Sequence, residues 1–315
     1  MAVAFTFPGQ GSQSVGMGRE LAESFPEARR VFDEVDEALG ESLSKLIWEG
    51  PEDQLTLTAN AQPALMTVSL AALRALEARG LTLAEQARFV AGHSLGEYSA
   101  LAAAGMFSVT DAARLLRIRG RAMQEAVPVG QGAMAAIIGL DEATVEAACE
   151  EARAGAVCQV ANDNGGGQLV ISGDKSAVER AMALCSDRGA KRAIALPVSA
   201  PFHSALMEPA ARAMEAALAG VAKRRPAVPV VSNVAVQPLR DPEEIARRLV
   251  EQVTGRVRWR ETVEWFGKNG VTTLVEVGAG KVLSGLAKRI DRNIGTLAVN
   301  GPADIDPVLA ALGGS

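Results

Sequence analysis

The chain has 315 residues, 48% of them hydrophobic and 22% charged, with a net charge of −5. That length accommodates one large domain or two unequal ones and buries a core without metal or disulfide help. The acidic balance argues against a general nucleic-acid binder, and no apolar run approaches the roughly 20 residues that cross a bilayer.

Aromatic residues make up only 4% of the chain, so the core is expected to be mostly Ala, Val, Leu and Ile. Cys149, Cys158 and Cys185 are odd in number and lack CxxC spacing, which speaks against a disulfide scaffold or a zinc site. They read as small buried hydrophobes in a cytoplasmic protein.

In chain order, residues 1–5 lack the basic start and long apolar centre of a signal peptide and read as a first buried strand. The run Val3–Phe7 leads into the turn-rich segment Pro8-Gly9-Gln10-Gly11-Ser12-Gln13. A helix follows near Gly18–Leu39. Asn60-Ala61-Gln62-Pro63 opens an amphipathic helix to Arg79, with Pro63 in its first turn. The short apolar run Phe89–Gly92 meets His93-Ser94-Leu95-Gly96-Glu97 and a small-residue helix through Ala104. A helix near Thr110–Glu125 carries Arg114, Arg117, Arg119 and Arg121.

Beyond Pro128-Val129-Gly130-Gln131-Gly132 the order changes. Strand Ala133–Ile138, helix Glu142–Arg153, strands Val157–Ala161 and Leu169–Ser172, helix Ser176–Arg188 and strand Arg192–Val198 make the βαββαβ order of a ferredoxin-like unit. Alternation then resumes. A helix is predicted at Ala205–Ala219, a strand at Val228–Val234 and helices at Glu243–Gln252 and Arg260–Asn269. Strand Thr273–Val277, helix Lys281–Ile290 and strand Thr296–Val299 close the pattern. Strands alternating with helices predict a mostly parallel sheet covered on both faces.

Gly92-His93-Ser94-Leu95-Gly96 fits G-x-S-x-G on a strand–turn–helix context. Glycine on both sides permits the sharp turn that lifts a serine hydroxyl clear of the sheet, at a helix N-terminus that favours an oxyanion. Ser94 is therefore a candidate nucleophile, and a neutral serine needs a base. The chain has two histidines. His93 adjoins Ser94, so its side chain is expected to point elsewhere, leaving His203 in Pro201-Phe202-His203-Ser204 as the base. No Asp or Glu stands out as a third, orienting group. The glycine-rich stretches Gly9–Gly11, Gly165–Gly167 and Gly278–Gly280 lack the spacing of nucleotide-binding loops and read as tight turns.

Taken together, these segments resemble the malonyl-CoA:acyl carrier protein transacylases of fatty-acid synthesis and the acyltransferase domains of polyketide synthases. The resemblance runs in order through residues 7–13, 60–63, 92–101 and 119–124, Asn162 with Gly167-Gln168, Ser199-Ala200-Pro201-Phe202-His203-Ser204, and residues 277–283. It implies an α/β fold: an α/β-hydrolase-like catalytic domain with a mostly parallel sheet, discontinuous over 1–127 and 198–315, and a ferredoxin-like subdomain over 128–197.

The resemblance also implies roles. Ser94 attacks the thioester, His203 carries the proton, and the backbone carbonyl of Gln252 orients the imidazole in place of a carboxylate. Backbone N–H groups of Gln10 and Leu95 form the oxyanion hole. Arg119 clamps the malonyl carboxylate with paired charge-assisted hydrogen bonds, and Gln62, His93, Asn162 and Phe202 bind substrate. Leu95 and Phe202 favour malonyl over methylmalonyl; Pro201 departs from the Ala usual two residues before the histidine.

Malonyl would pass from malonyl-CoA to the phosphopantetheine thiol of an acyl carrier protein through a malonyl-serine intermediate. No metal, bound cofactor, nucleic acid or membrane is expected to take part, and the protein is expected to be a monomer. Lys191, Arg192, Lys281, Lys288 and Arg289 are candidates to dock the acidic carrier. A trans-acting polyketide acyltransferase, a serine thioesterase and a catalytically silent carrier-binding module are the rival readings.

Overall fold

A computed structural model describes residues 2–198 and 200–313; Met1, Ser199 of the histidine-loop motif and residues 314–315 lie outside the described residues. The fold is mixed α/β with two sheets. The described residues form the strands β1 (Val3–Phe7), β2 (Ala87–Gly92), β3 (Gly132–Ile138), β4 (Cys158–Asp163), β5 (Gln168–Asp174), β6 (Arg192–Ala195), β7 (Val230–Val231), β8 (Pro238–Leu239), β9 (Val257–Arg258), β10 (Thr273–Val277) and β11 (Gly295–Val299).

The larger sheet runs β11-β10-β1-β2-β7-β8. All neighbours pair parallel except the β7–β8 hairpin. Every residue of β1 and β10 is buried, as continuous apolar runs covered on both faces require. Register sets Phe7 against Gly92 and Thr6 against Glu276. The loops leaving β1, β2 and β10 therefore emerge at one sheet edge, the position where open α/β sheets gather their ligands.

Glu276 fixes one of these loops. It is buried in β10, and its carboxylate accepts from the backbone N–H groups of Leu283 (3.0 Å) and Ser284 (2.7 Å). A strand residue thus caps the helix Val282–Ile290 and pins it to the sheet.

The smaller sheet runs β6-β3-β5-β4-β9, antiparallel except for the β4–β9 pair. Its side chains alternate with period two. Ala135, Ile137, Leu169 and Ile171 pack against the helices Glu142–Arg153 and Lys175–Asp187. Met134, Ala136, Asn162 and Val170 face the larger sheet's loops. Cys149, Cys158 and Cys185 are free and buried in the helix-side core, as their composition suggested. β9 follows the larger sheet's β8 in sequence yet completes the smaller sheet. Beside it Arg256 pairs with Glu142 and Glu146, and Arg260 with Asp163 (2.7 Å) and Glu142 (3.0 Å).

Several boundaries differ from expectation for local reasons. The helix expected over Gly18–Leu39 is two helices, Arg19–Ser24 and Pro26–Leu39, because the extended residue before Pro26 breaks the first. The helix carrying Pro63 starts earlier, at Thr58, so the proline sits in the second turn; the helix is buried on nearly all sides rather than amphipathic. The strand at Val228–Val234 shrinks to two residues, and β6 stops at Ala195.

Candidate active site

β2 ends at Gly92, and the helix Gly96–Ala103 begins four residues later. A β-carbon on Gly92 would lie 1.9 Å from the Gly96 backbone, and one on Gly96 would lie 2.2 Å from the Phe7 carbonyl oxygen. Only two glycines permit so tight a reversal. Ser94 sits at its apex in left-handed conformation, φ 54°, and His203 likewise has φ 56°. Two non-glycine residues held in this region carry strain of the kind that clusters at functional sites.

The two side chains meet: Ser94 Oγ lies 2.7 Å from His203 Nε2. The opposite ring nitrogen, Nδ1, is 2.9 Å from the Gln252 carbonyl oxygen and 3.1 Å from that of Gly255. Two carbonyls accept only from an N–H, so Nδ1 carries the proton and Nε2 presents a lone pair to the serine hydroxyl. Among the described residues, no carboxylate bonds the ring. Burial and, next, the positive charge of Arg119 push the His203 pKa down to about 3, so the imidazole is neutral at physiological pH, with Nε2 free to accept a proton.

Arg119 reaches the same point from the helix Val109–Glu125. Only 1% of it is exposed. Its Nη1 donates to Gln62 Oε1 (2.7 Å), and its Nη2 donates to Gln252 Oε1 (2.8 Å) and to Ser94 Oγ (3.2 Å). The Tyr98 ring stacks 5.6 Å from the guanidinium carbon. Gly120 makes this approach possible, since a β-carbon there would lie 2.6 Å from the Thr58 carbonyl oxygen. Gln62 is itself aimed by Thr58, which also bonds the Gln10 side chain at 2.7 Å.

These groups border a cavity of about 450 Å³ between the two sheets. Gln10, Gln62, His93, Ser94, Leu95, Arg119, Asn162, Phe202 and His203 all line it, while Gln252 lies behind Arg119 and Ser94. Neither the Gln10 nor the Leu95 backbone N–H meets an acceptor among the described residues. His93 does point away from the Ser94 hydroxyl, yet it faces the cavity. There its Nε2 pairs with Asn164 Oδ1 at 2.9 Å, its ring packs on Trp259, and burial lowers its pKa.

Sequence reasoning missed three supports. Asn233 accepts from the Ser94 N–H (2.8 Å) and donates to the Gly92 carbonyl (2.7 Å), bracing the elbow from the turn after β7. Glu97 accepts from Gln252 Nε2 at 2.7 Å. The Gly255 carbonyl shares the histidine proton with Gln252. Both side chains had a signal in the sequence, a polar residue within an apolar run: Asn233 after Val230-Val231, and Glu97 at the start of the small-residue helix.

The candidate docking residues Lys191, Arg192, Lys281, Lys288 and Arg289 are exposed. Arg289 borders the cavity and abuts the Gly165–Gly167 turn, whose Gly167 contacts Gly139 beside Lys191. No helix among the described residues is long and apolar enough to cross a membrane, and no cluster of three His, Cys, Asp or Glu side chains there could hold a metal.

The family model described as acyl transferase domain matches residues 4–293. The malonyl CoA-acyl carrier protein transacylase of Bacillus subtilis strain 168 is 49% identical over 98% of this chain and 97% of its own length. The crystal structure of the acyl-carrier-protein-S-malonyltransferase from Bartonella henselae superposes with a TM-score of 0.98 at 62% identity, covering 99% of this chain and 100% of that one. A malonyl-transacylase solved in complex with its type II PKS acyl-carrier protein superposes at 0.95 with 44% identity, each chain fully covered.

Proposed function

The chain belongs to the acyl transferase family, and from that premise we propose that it transfers malonyl from malonyl-CoA to the phosphopantetheine thiol of an acyl carrier protein, through a malonyl-Ser94 intermediate. The observation that carries this reading is the convergence on one hydroxyl of a neutral imidazole at 2.7 Å and a buried guanidinium at 3.2 Å.

Malonyl-CoA enters the cavity with its carboxylate on Arg119. Each charge-assisted hydrogen bond there contributes about 1.5–3 kcal/mol, which favours malonyl over uncharged acetyl. Ser94 Oγ attacks the thioester carbonyl as His203 Nε2 takes its proton. The oxyanion is met by the N–H groups of Gln10 and Leu95, an interaction of about 2.7–4 kcal/mol per donor. CoA leaves as the thiol with the proton from His203. The carrier's thiol then returns a proton to His203, attacks the acyl-serine and regenerates Ser94.

Gln62, His93, Asn162 and Phe202 shape the acyl and pantetheine passage, with Leu95 and Phe202 favouring malonyl over methylmalonyl. Residues 128–197 form a ferredoxin-like subdomain inserted in an α/β-hydrolase-like unit spanning 1–127 and 198–315. The antiparallel order β6-β3-β5-β4 supports that division, with β9 as an added edge strand. The protein works as a cytoplasmic monomer without a bound cofactor, in fatty-acid synthesis. The exposed basic residues beside the cavity receive the acidic carrier.

Initial rates with both substrates varied test the scheme. Parallel double-reciprocal lines and malonyl-carrier as product support it. Malonate release without a carrier, at the rate of transfer, would instead mark a thioesterase.

A further inference from the structure

Arg119 is a cation with almost no contact with water, and before substrate arrives something else must balance it. Its direct side-chain partners, Gln62, Gln252 and Ser94, are neutral. The nearest compensation is one step further. Gln252 Oε1 accepts from Arg119 Nη2 at 2.8 Å, while its Nε2 donates to Glu97 Oε2 at 2.7 Å and to the Ser94 carbonyl at 3.0 Å. Glu97 is 2% exposed, and its carboxylate also accepts from the Asn233 N–H at 3.3 Å. One amide dipole thus connects a buried carboxylate to a buried guanidinium, with its positive end on the acid and its negative end on the base.

We propose that Glu97 is the resident counter-ion of Arg119, relayed through Gln252, and that it takes up a proton from solvent when the malonyl carboxylate replaces it as the balancing charge. The proposal rests on the malonyl reading of the site. The logic is linkage: two anions compete for one buried cation, so malonyl binding favours neutral Glu97, and neutral Glu97 favours malonyl by the same factor.

The surroundings isolate this titration. Arg119 and the neutral Tyr98 are the ionisable groups acting on Glu97. Burial raises the Glu97 pKa to about 7, opposed by its hydrogen bonds from Gln252 and Asn233 and by Arg119. Tyr98 is pushed up by burial, while His203 and His93 are pushed down, so these three keep one protonation state near neutrality. Glu97 is therefore a positioning and specificity residue that acts on substrate through Arg119.

The test is the ratio of kcat/KM for malonyl-CoA to that for acetyl-CoA as a function of pH. The ratio cancels ionisations of CoA, Ser94 and His203 common to both donors. In the wild-type protein it should fall about tenfold as pH rises through neutrality, within the roughly 5- to 150-fold span of ordinary site coupling. In Glu97→Gln it should stay flat at the low-pH value. Both hydrogen bonds to Glu97 fall on a single oxygen, which a glutamine amide reproduces.

Calorimetry of wild-type acyl-enzyme formation in two buffers of different ionisation enthalpy needs no variant. Slightly above neutral pH, malonyl-CoA should draw in a fraction of a proton that acetyl-CoA does not. A flat wild-type ratio, a parallel fall in both proteins, or equal proton counts for the two donors overturns the proposal. Absence of any malonyl adduct on the wild-type protein would instead overturn the functional reading beneath it.

Discussion

Arg119 Nη2 donates to Ser94 Oγ at 3.2 Å, so the buried cation touches the nucleophile itself. In a malonyl-serine the free carboxylate lies three bonds from that oxygen. On the proposed reading, one side chain would both lower the cost of the alkoxide and select the acyl group that follows. The same charge depresses the basicity of His203, whose pKa it lowers after burial. That reading couples selection and general-base strength through a single guanidinium.

Arg119→Ala should reduce malonyl transfer by at least about tenfold for the loss of one charge-assisted bond and about a hundredfold or more for two, while costing acetyl transfer much less. Steady-state kcat/KM with both CoA thioesters measures this. Equal losses for the two donors would remove Arg119 from the specificity role.

The depressed His203 pKa predicts the acid limb of the rate profile. An ordinary histidine loses its base form below about pH 6.5. Here the folded-state pKa is about 3, so the base form persists as pH falls through that region. Acetyl-CoA kcat/KM should show no His203 limb near pH 6.5. Stability follows a different sign rule. The unfolded chain protonates this histidine below about pH 6.5 whereas the folded one resists, so its contribution is full above that value and is lost as pH falls toward 3. Arg119→Ala should shift the kinetic limb upward by removing the second cause of the depression.

The elbow glycines admit a direct steric check. Gly92→Ala places a β-carbon 1.9 Å from backbone, which cannot be relieved by a rotamer change. It should lower Tm by several degrees, a loss of about 1–3 kcal/mol or more, and abolish acylation. Gly220→Ala, with its nearest neighbour at 3.6 Å and φ −86°, should leave both nearly unchanged.

Asn233→Ala removes the acceptor for the Ser94 N–H and the donor to the Gly92 carbonyl, leaving two buried backbone groups unpaired. The expected cost is about 1–3 kcal/mol per group. Thermal unfolding should register it, together with slower acylation of Ser94. A variant with unchanged Tm and acylation rate would mean the elbow holds its shape without this brace.

Much of this arrangement is legible in the sequence. The G-x-S-x-G turn announced itself because its geometry demands glycine at fixed places, and His203 followed because only two histidines exist. Period-two and helical patterning located most strands and helices to within a few residues. Arg119 was different: by pattern alone it is one of four arginines on a helix, and only a resemblance distinguished it. Its burial depends on Gly120 allowing the helix Thr58–Ala78 to approach, a tertiary fact. Asn233, Glu97 and the Gly255 carbonyl escaped notice for the same reason, since each acts across more than 30 residues of chain or through backbone that carries no side-chain signal. β9 was hidden because two residues carry no periodicity.

Salt dependence bears on the carrier surface. If Lys191, Arg192, Lys281, Lys288 and Arg289 steer an acidic carrier, transfer to it should slow markedly between low and moderate ionic strength, while malonyl-CoA hydrolysis or self-exchange changes less. Transfer insensitive to salt would count against these residues.

The most direct measurement is the intact mass of the protein after mixing with malonyl-CoA and then with holo acyl carrier protein. The account predicts a single malonyl increment on the wild-type chain, absent from Ser94→Ala, that disappears as the carrier gains the same mass. An unmodified wild-type chain, an adduct that survives Ser94→Ala, or one that never passes to the carrier would contradict it.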